Sequence, residues 1–431
     1  MPNSSKLILV TGATGYIASR LIPQLLERGY RIRALARQPQ RLKNKSWFSQ
    51  VEVVQGDVME PSTLDPAFKA VDIAYYLIHN MSSGRGYTER ELDGARNFTR
   101  VAAYAGVQHI IYLGGLADEE QHIAPHMRSR IETGATLRQG KVPVTEFRAG
   151  VVAGSGSISF EMIRFMTELF PIIPAPFWVK NKSQPISTQN VIDYLLAALD
   201  NHDGQGQVFE IGGPDVTTYQ ELMLSYARVR GLKRRFLLLP YVPVWFMAFG
   251  IGLTTPVPRP IAYALVGGLS SDSVVIHQNA LKIFPEVNLI DFASAASDAL
   301  MHLHPHKIER IWDDRDGETK ILKHEGFFID HREVRVETTP EKMFNVVKNL
   351  GEWFTIEAIG DNQILVRLKM KLPGEGWVEW KKGRNSSYIA QTVFFTPHGL
   401  GGFFLWHVLH PFFAPAFNSL LKSIARKSVV K

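Results

Sequence analysis

The 431-residue chain has no cysteine. That excludes a disulfide framework, a thiolate zinc site, an iron–sulfur cluster and a thiol nucleophile, and it fits a reducing compartment. It also has no block of five or more like charges. Lys and Arg outnumber Asp and Glu 48 to 41, a net charge of +7 spread along the chain, and that mild surplus does not call for nucleic acid. No segment repeats, so solenoids and propellers are excluded. A leader is not expected: only Met1–Lys6 precede the first apolar run, Leu7–Val10, which enters a Gly-rich turn at once. One uncharged run, Phe236–Leu253, follows Lys233-Arg234-Arg235 as a membrane helix would. Pro240, Pro243 and two glycines interrupt it, so a broken, buried helix pair is expected instead. What is present is ordinary for a globular core, 45% hydrophobic and 21% charged residues, at a length for two or three domains.

Short β runs alternate with helical patterns over the first 150 residues. Strands are expected at Leu7–Val10, Arg31–Arg37, Val51–Gln55, Val71–Ile78, His109–Leu113 and Val144–Phe147. Helices are expected from the Gly-rich turn to about Arg28, at Tyr87–Tyr104 and at Pro125–Gln139. Such alternation predicts an α/β fold, a doubly wound parallel sheet covered on both faces. From 151 to 303 the pattern loosens into a small substrate lobe, with helices at Ser159–Leu169, Thr188–Leu199 and Thr218–Arg230, a Pro-rich crossing at Pro171–Trp178 and a strand at Val208–Ile211. Residues 304–326 are polar, lack a repeating apolar face and read as a linker between a domain of residues 1–303 and one of residues 327–431. The second domain reads as α+β, with strands at Val334–Glu337, Ile364–Leu372 and Tyr388–Phe395 and helices at Pro340–Asn349 and Leu420–Lys427. A chain ending near Leu303 is then expected to fold alone.

The turn after the first strand reads Thr11-Gly12-Ala13-Thr14-Gly15-Tyr16-Ile17-Ala18 and opens the first helix. Gly12 suits a tight turn, Gly15 lets backbone approach a pyrophosphate at the helix N-terminus, and Ala18 allows close helix–strand packing. Gly12, Thr14, Gly15, Tyr16 and Ile17 are therefore expected to bind the pyrophosphate of a nicotinamide dinucleotide. At the end of the second strand, where an NAD site carries an acid for the ribose 2′-hydroxyl, stands Arg37. Its planar fork suits a 2′-phosphate, with Arg41 or Lys43 beside it, so NADP(H) is expected over NAD(H). Asp57 with Val58, after the third strand, is placed for the adenine, and His79, in His79-Asn80-Met81 after the fourth, for the ribose or nicotinamide. The plainer alternatives are a solvated arginine at 37, a surface turn at 57 and an ordinary loop at 79.

The run TGATGYIA from Thr11, QGDV from Gln55, VPVTEFRAGVVAGSGS from Val142 and VFEIGGPDVTTYQELM from Val208 resemble the atypical branch of the short-chain dehydrogenase/reductase superfamily. With KMKLPG at Lys369–Gly374 and PHGLGGFFLWHVLHPFFAPAF at Pro397–Phe417, nearly the whole chain is similar to bacterial proteins that join such a Rossmann domain to a C-terminal domain of unknown function. NmrA-like redox sensors and an accessory subunit of respiratory complex I are more distant likenesses. The resemblance implies NAD(P) binding, oxidoreductase chemistry and, after Phe327, a helix-grip, START-like ligand cradle, here shortened between Gly351 and Ile364.

In active members of that superfamily a Ser or Thr follows the fifth strand and a Tyr-x-x-x-Lys pair completes the proton relay. This chain has Gly114-Gly115 and His126-Met127-Arg128-Ser129-Arg130 at those places. His126 is then a candidate proton donor and Arg130 a candidate to hold the ribose hydroxyls; the alternative for His126 is a solvent-facing helix residue. If His126 is the acid, activity is expected to decline as pH rises past the imidazole pKa. Two functions fit. One is an NAD(P)H-dependent oxidoreductase acting on a small apolar or quinone-like substrate without Ser-Tyr-Lys chemistry. The other is a non-catalytic NADP(H) sensor, or an assembly protein of a respiratory or membrane-associated complex. His302, His304 and His306 alternate without a carboxylate at matching spacing, which reads as polar linker rather than a metal site. The aromatics Phe403–Trp406 and Phe412-Phe413, followed by Lys422, Arg426, Lys427 and Lys431, have the composition of an interfacial membrane helix or of a buried helix with a wet end; burial is expected. The expected setting is cytoplasmic, with peripheral contact at the inner membrane or with a protein complex as the variant, and nucleic acid is not an expected partner.

Overall fold

The computed structural model describes residues 6–43, 45–79, 87–121, 123–240, 242–307, 310–313, 320–324, 326–336, 339–349, 351–382 and 388–429. Asn80, Met81, Glu337, Lys431 and much of the 304–326 span lie outside them. Seven strands form one parallel sheet: β1 (Leu7–Val10), β2 (Arg31–Ala36), β3 (Glu52–Gln55), β4 (Ile73–Tyr76), β5 (His109–Gly115), β6 (Val144–Ala149) and β7 (Val208–Ile211), in the order β7-β6-β5-β4-β1-β2-β3. The inner strands β1 and β4, LILV and IAYY, are continuous apolar runs buried throughout, as a sheet covered on both faces requires. One face packs on α1 (Tyr16–Glu27) and α5 (Thr188–Ala197) through Leu21, Ile22, Val191 and Leu195. The other packs on α2 (Tyr87–Tyr104) and α3 (Pro125–Arg138) through Phe98, Ala102 and Leu137. Strand order reverses between β1 and β4, and open α/β sheets bind ligands in the crevice at such a point. Thr11 fastens that crevice: its hydroxyl donates to the Tyr75 carbonyl at 2.9 Å and accepts from the Leu77 amide at 3.1 Å.

Two expectations change here. Val208–Ile211, read as part of the lobe, extends the main sheet beside β6, because Phe209 packs on Phe147 and Phe284. Phe236–Leu253 is not a helix pair: Arg235–Leu239 is a strand paired in parallel with Ile172–Pro176, inside the Pro-rich crossing, and only α7 (Val244–Thr254) is helical. Pro243, which fits the turn before a helix but not its interior, stands at the α7 N-cap. The rest of the lobe comprises α4 (Ile158–Leu169), α6 (Tyr219–Val229), α8 (Arg259–Gly268) and α9 (Phe292–Met301). Thr218 caps α6 through the Glu221 amide, and Asp291 caps α9 through that of Ser294.

The C-terminal part is a five-stranded antiparallel sheet of β8 (Phe328–Arg335), β9 (Phe354–Ile359), β10 (Gln363–Leu368), β11 (Gly374–Lys382) and β12 (Tyr388–Pro397), in the order β8-β12-β11-β10-β9. The shortened stretch after Gly351 thus supplies an edge strand. Helix α10 (Pro340–Lys348) and the C-terminal helix cover one face, and Met343, Val347, Trp380, Val393, Leu421 and Ile424 fill the space between. The implied cradle is therefore packed with side chains. The C-terminal helix is longer than expected: α11 (Gly399–Phe404) runs through a π-helical turn, Leu405–Leu409, into α12 (His410–Val429). Phe403 is buried as expected, whereas Phe404, Phe412 and Phe413 are exposed. The span read as linker contains an antiparallel hairpin, Arg310–Asp313 with Lys320–His324. His302, His304 and His306 turn to separate carboxylates, those of Asp298, Glu357 and Glu379.

Candidate functional site

The Gly-rich turn lies at the carboxyl end of β1, in the crevice. Gly12 has φ +65°, and a Cβ there would come 2.5 Å from the Leu77 carbonyl oxygen. A Cβ on Gly15 would come 2.9 Å from the Gly12 carbonyl oxygen, to which the Gly15 amide already donates at 2.7 Å. These two positions therefore hold the loop tight against β4. Gly15 is the N-cap of α1 and supplies no side-chain cap, and the first turn carries no acid. The first amides of the helix are left for an anion. Thr14 and Ile17 sit partly exposed on this turn, and Ala18 is buried beneath it. The Tyr16 hydroxyl lies 2.9 Å from Thr188 Oγ1, and the Arg20 guanidinium stacks over the Tyr16 ring and donates to the Ser155 carbonyl. Tyr16 thus ties the cradle to the lobe by its side chain and faces an anion by its backbone.

On the adenosine side, Arg37 is exposed at the end of β2 and its guanidinium has no partner among the described residues. The Arg41 Nε nearby in sequence is buried without a partner as well. Two such cations suit a phosphate. Asp57 is partly committed: its carboxylate accepts from the Met59 amide at 3.0 Å, shaping the loop. Val58 turns inward against Gly94, and its carbonyl accepts from Asn97. The Val58 side chain therefore faces the core.

On the other side of the crevice, His79 follows β4 with its ring beside Tyr112, 6.3 Å between centroids. Desolvation, reinforced by the Arg130 charge, holds its imidazole well below the ordinary range and so neutral. Past the ends of β5 and β6 opens a cavity of about 160 Å³. Its wall is largely aliphatic, interspersed with Met162, Met166, Met223, Met247 and Trp178, and its polar members include His126, Arg130, Tyr219 and Asp272. His126 is buried rather than solvent-facing, since α8 crosses it so closely that a Cβ on Gly268 would come 3.1 Å from the ring. Desolvation first, then Arg130, pushes its pKa down to about 4. That shift argues against an imidazolium acid titrating near neutrality and for an uncharged hydrogen-bonding His126 at neutral pH. Tyr219, whose hydroxyl burial pushes up to about 12, and Asp272 were not foreseen. The one signal in the sequence was Met162 and Met166, one helical turn apart on α4.

Comparison with known proteins agrees with this layout. Residues 4–262 match the model of the NmrA-like family. A (4-alkanoyl-5-oxo-2,5-dihydrofuran-3-yl)methyl phosphate reductase of Streptomyces griseus is 29% identical over 237 residues, covering 53% of this chain and 76% of the relative. A mitochondrial NADH dehydrogenase 1 alpha subcomplex subunit 9 of Arabidopsis thaliana is 23% identical over 65% of this chain and 73% of its own. Among solved structures, a Citrobacter triphenylmethane reductase complexed with NADP(H) shares the fold with a TM-score of 0.55 at 22% identity, over 68% of this chain and 99% of that one. Sheet order, Gly-rich cradle and family match converge, and the chain belongs to the NmrA-like family.

Proposed function

We propose that the chain is an NADPH-dependent reductase of a small, apolar, quinone-like acceptor. The observation that carries this reading is the apolar cavity beside the dinucleotide cradle, whose polar lining includes neutral His126 and cationic Arg130. The cradle fits the cofactor, since Gly12 and Gly15 keep Cβ atoms out of it and, among the described residues, the Arg37 guanidinium and the Arg41 Nε have no partner on the adenosine side. When bound, the nicotinamide supplies a hydride. The α1 N-terminus holds the pyrophosphate, the apolar wall excludes water from the transfer, and Arg130 with the His126 N–H stabilises the oxygen that gains negative charge. The hydride brings both electrons; the proton that completes a quinol comes from water. The Streptomyces reductase and the NADPH-dependent quinone oxidoreductase of Escherichia coli, a fold neighbour, support this reading.

Cofactor oxidation with a panel of quinones and aldehydes tests it. Arg130→Met is expected to lower kcat/KM by about 100-fold, the order measured for removing one oxyanion donor. NADPH binding without turnover of any acceptor would instead assign the chain to sensing or assembly. Cofactor choice is tested separately. One charge-assisted pair to phosphate contributes about 1.5–3 kcal/mol, so Arg37→Asp is expected to weaken NADPH binding by about ten- to a hundred-fold while NADH binding holds. Calorimetric titration decides, and equal losses for both cofactors would remove Arg37 from the 2′-phosphate.

A further inference from the structure

Two helices bring large apolar side chains to the surface. Helix α7 exposes Trp245, at 65% of its full area, with Phe246, Phe249 and Leu253. The C-terminal helix exposes Leu400, Phe404, Val408 and Phe412, the last at 77%, at successive four-residue steps. On a plain α-helix such a stripe drifts by about 40° per step. The π-helical turn at Leu405–Leu409 is wider and turns back against the drift, keeping Phe404, Val408 and Phe412 on one side. His407 Nε2 lies 3.1 Å from the Thr254 carbonyl oxygen at the end of α7. Leu253 is one residue from that tie, and Phe404 and Val408 are within one turn of it, so the two stripes meet as one surface.

The two stretches of chain that supply these helices carry charge of one sign. No Asp or Glu occurs between Glu221 and Asp272, and none after Glu379. Those two segments carry Lys233, Arg234, Arg235, Arg259, Lys422 and Arg426. The Arg259 guanidinium lies 4.5 Å from the Phe249 ring centroid, its stem along the aromatic and its head free to reach outward. Aromatic side chains between cations, with acids excluded from two distant stretches of chain, complement an anionic lipid surface. The C-terminal helix is long and apolar, with only 11% of its most apolar stretch buried. It nevertheless lies along the protein rather than away from it: Leu421 and Ile424 are in the core, His410 pairs with Asp330, and Arg332 stacks over Phe417.

We infer that this face docks the protein flat on an anionic membrane surface, α7 and the C-terminal helix entering the headgroup region. The inner sides of α7 and α8 wall the cavity through Met247, Ile251 and Leu265. On the reductase reading proposed above, an acceptor dissolved in the bilayer is thus one helix away from the site.

Co-sedimentation with vesicles tests the docking without reference to activity. The full chain is expected to bind phosphatidylglycerol-containing vesicles, to bind pure phosphatidylcholine at least about tenfold less, and to weaken in high salt. The variant Trp245→Ser, Phe249→Ser, Phe404→Ser, Phe412→Ser changes exposed residues only and should keep its circular dichroism and its NADPH titration. Its vesicle affinity is expected to fall by about 100-fold or more, since each aromatic contributes more than tenfold when buried. Undiminished binding by this variant, or no binding by the unmodified chain, overturns the proposal. So does a lipid-free dimer that the variant dissociates, which would make the face a contact between copies.

Discussion

Acidification from pH 6.5 to pH 4 is expected to remove about 6 kcal/mol of folding stability, enough to unfold many domains of this size. The cause is buried histidines: His109 and His126 set the figure, and His79, also held low by desolvation, adds in the same direction. His109 and His126 each fall from 6.5 to about 4, driven first by desolvation. Each shift corresponds to about 3 kcal/mol. The sign follows from which state takes up protons. In the unfolded chain both rings protonate below pH 6.5, whereas in the folded chain they stay neutral down to about 4. The unfolded state therefore gains protons across that window and is favoured as pH falls. His109 shows the geometry: its Nε2 meets Thr145 Oγ1 at 2.8 Å, and its Nδ1 is buried without a partner. Protonation would place an unpaired N–H in the core. Asp291, held below the usual carboxylate range by Ser294, loses its contribution only at lower pH. Urea unfolding at a series of pH values checks this, and His109→Gln should shift the acid transition downward. Stability that is flat from pH 6.5 to 4.5 would sink the idea.

Legibility in the sequence tracks how local each constraint is. The Gly-rich cradle was readable because strand, turn and helix are contiguous and each glycine answers a nearby backbone atom, Gly12 to Leu77 and Gly15 to Gly12. The helix expected at about Tyr87–Tyr104 lies there, since its apolar repeat is its own. Strand β7 was misassigned because what puts it in the main sheet is Phe147, a partner far upstream. The cavity was readable only in part: the Pro-rich crossing at Pro171–Trp178 does line it, but Met162, Met223 and Met247 come from three helices that no periodicity links. Nor was the state of His126, which depends on α8 closing over it at Gly268. The C-terminal helix was expected only from Leu420, yet α12 begins at His410 and keeps Pro415 inside it.

The proposed division at residue 303 meets its strongest test at Arg164. This arginine is 0% exposed in the middle of α4. Its Nε donates to Glu161 at 2.6 Å, one amino group donates to Thr396 Oγ1 at 3.0 Å, and the other to the Gly326 carbonyl. One side chain of the first part thus satisfies acceptors in the second. Around it Phe165 and Leu169 pack on Phe328, Phe395 and Phe403, and on the next turn Glu168 accepts from Tyr226, Arg230 and the Gly399 amide. Removing one partner of a buried pair costs about 3–5 kcal/mol, because the other charge is left without compensation. Arg164→Met is expected to lose that much in urea unfolding. The double variant with Glu161→Gln should recover a good part of it, since no charge is then stranded. A loss below about 1 kcal/mol in the single variant would mean that Glu161 is already solvated. The same contacts bear on truncation. A chain ending at Leu303 keeps Arg164, Phe165 and Leu169 but none of their partners beyond Gly326, so it is expected to aggregate rather than fold alone. If it stays soluble and binds NADPH with the affinity of the full chain, the two parts are separate domains and their shared cluster is only a docking contact.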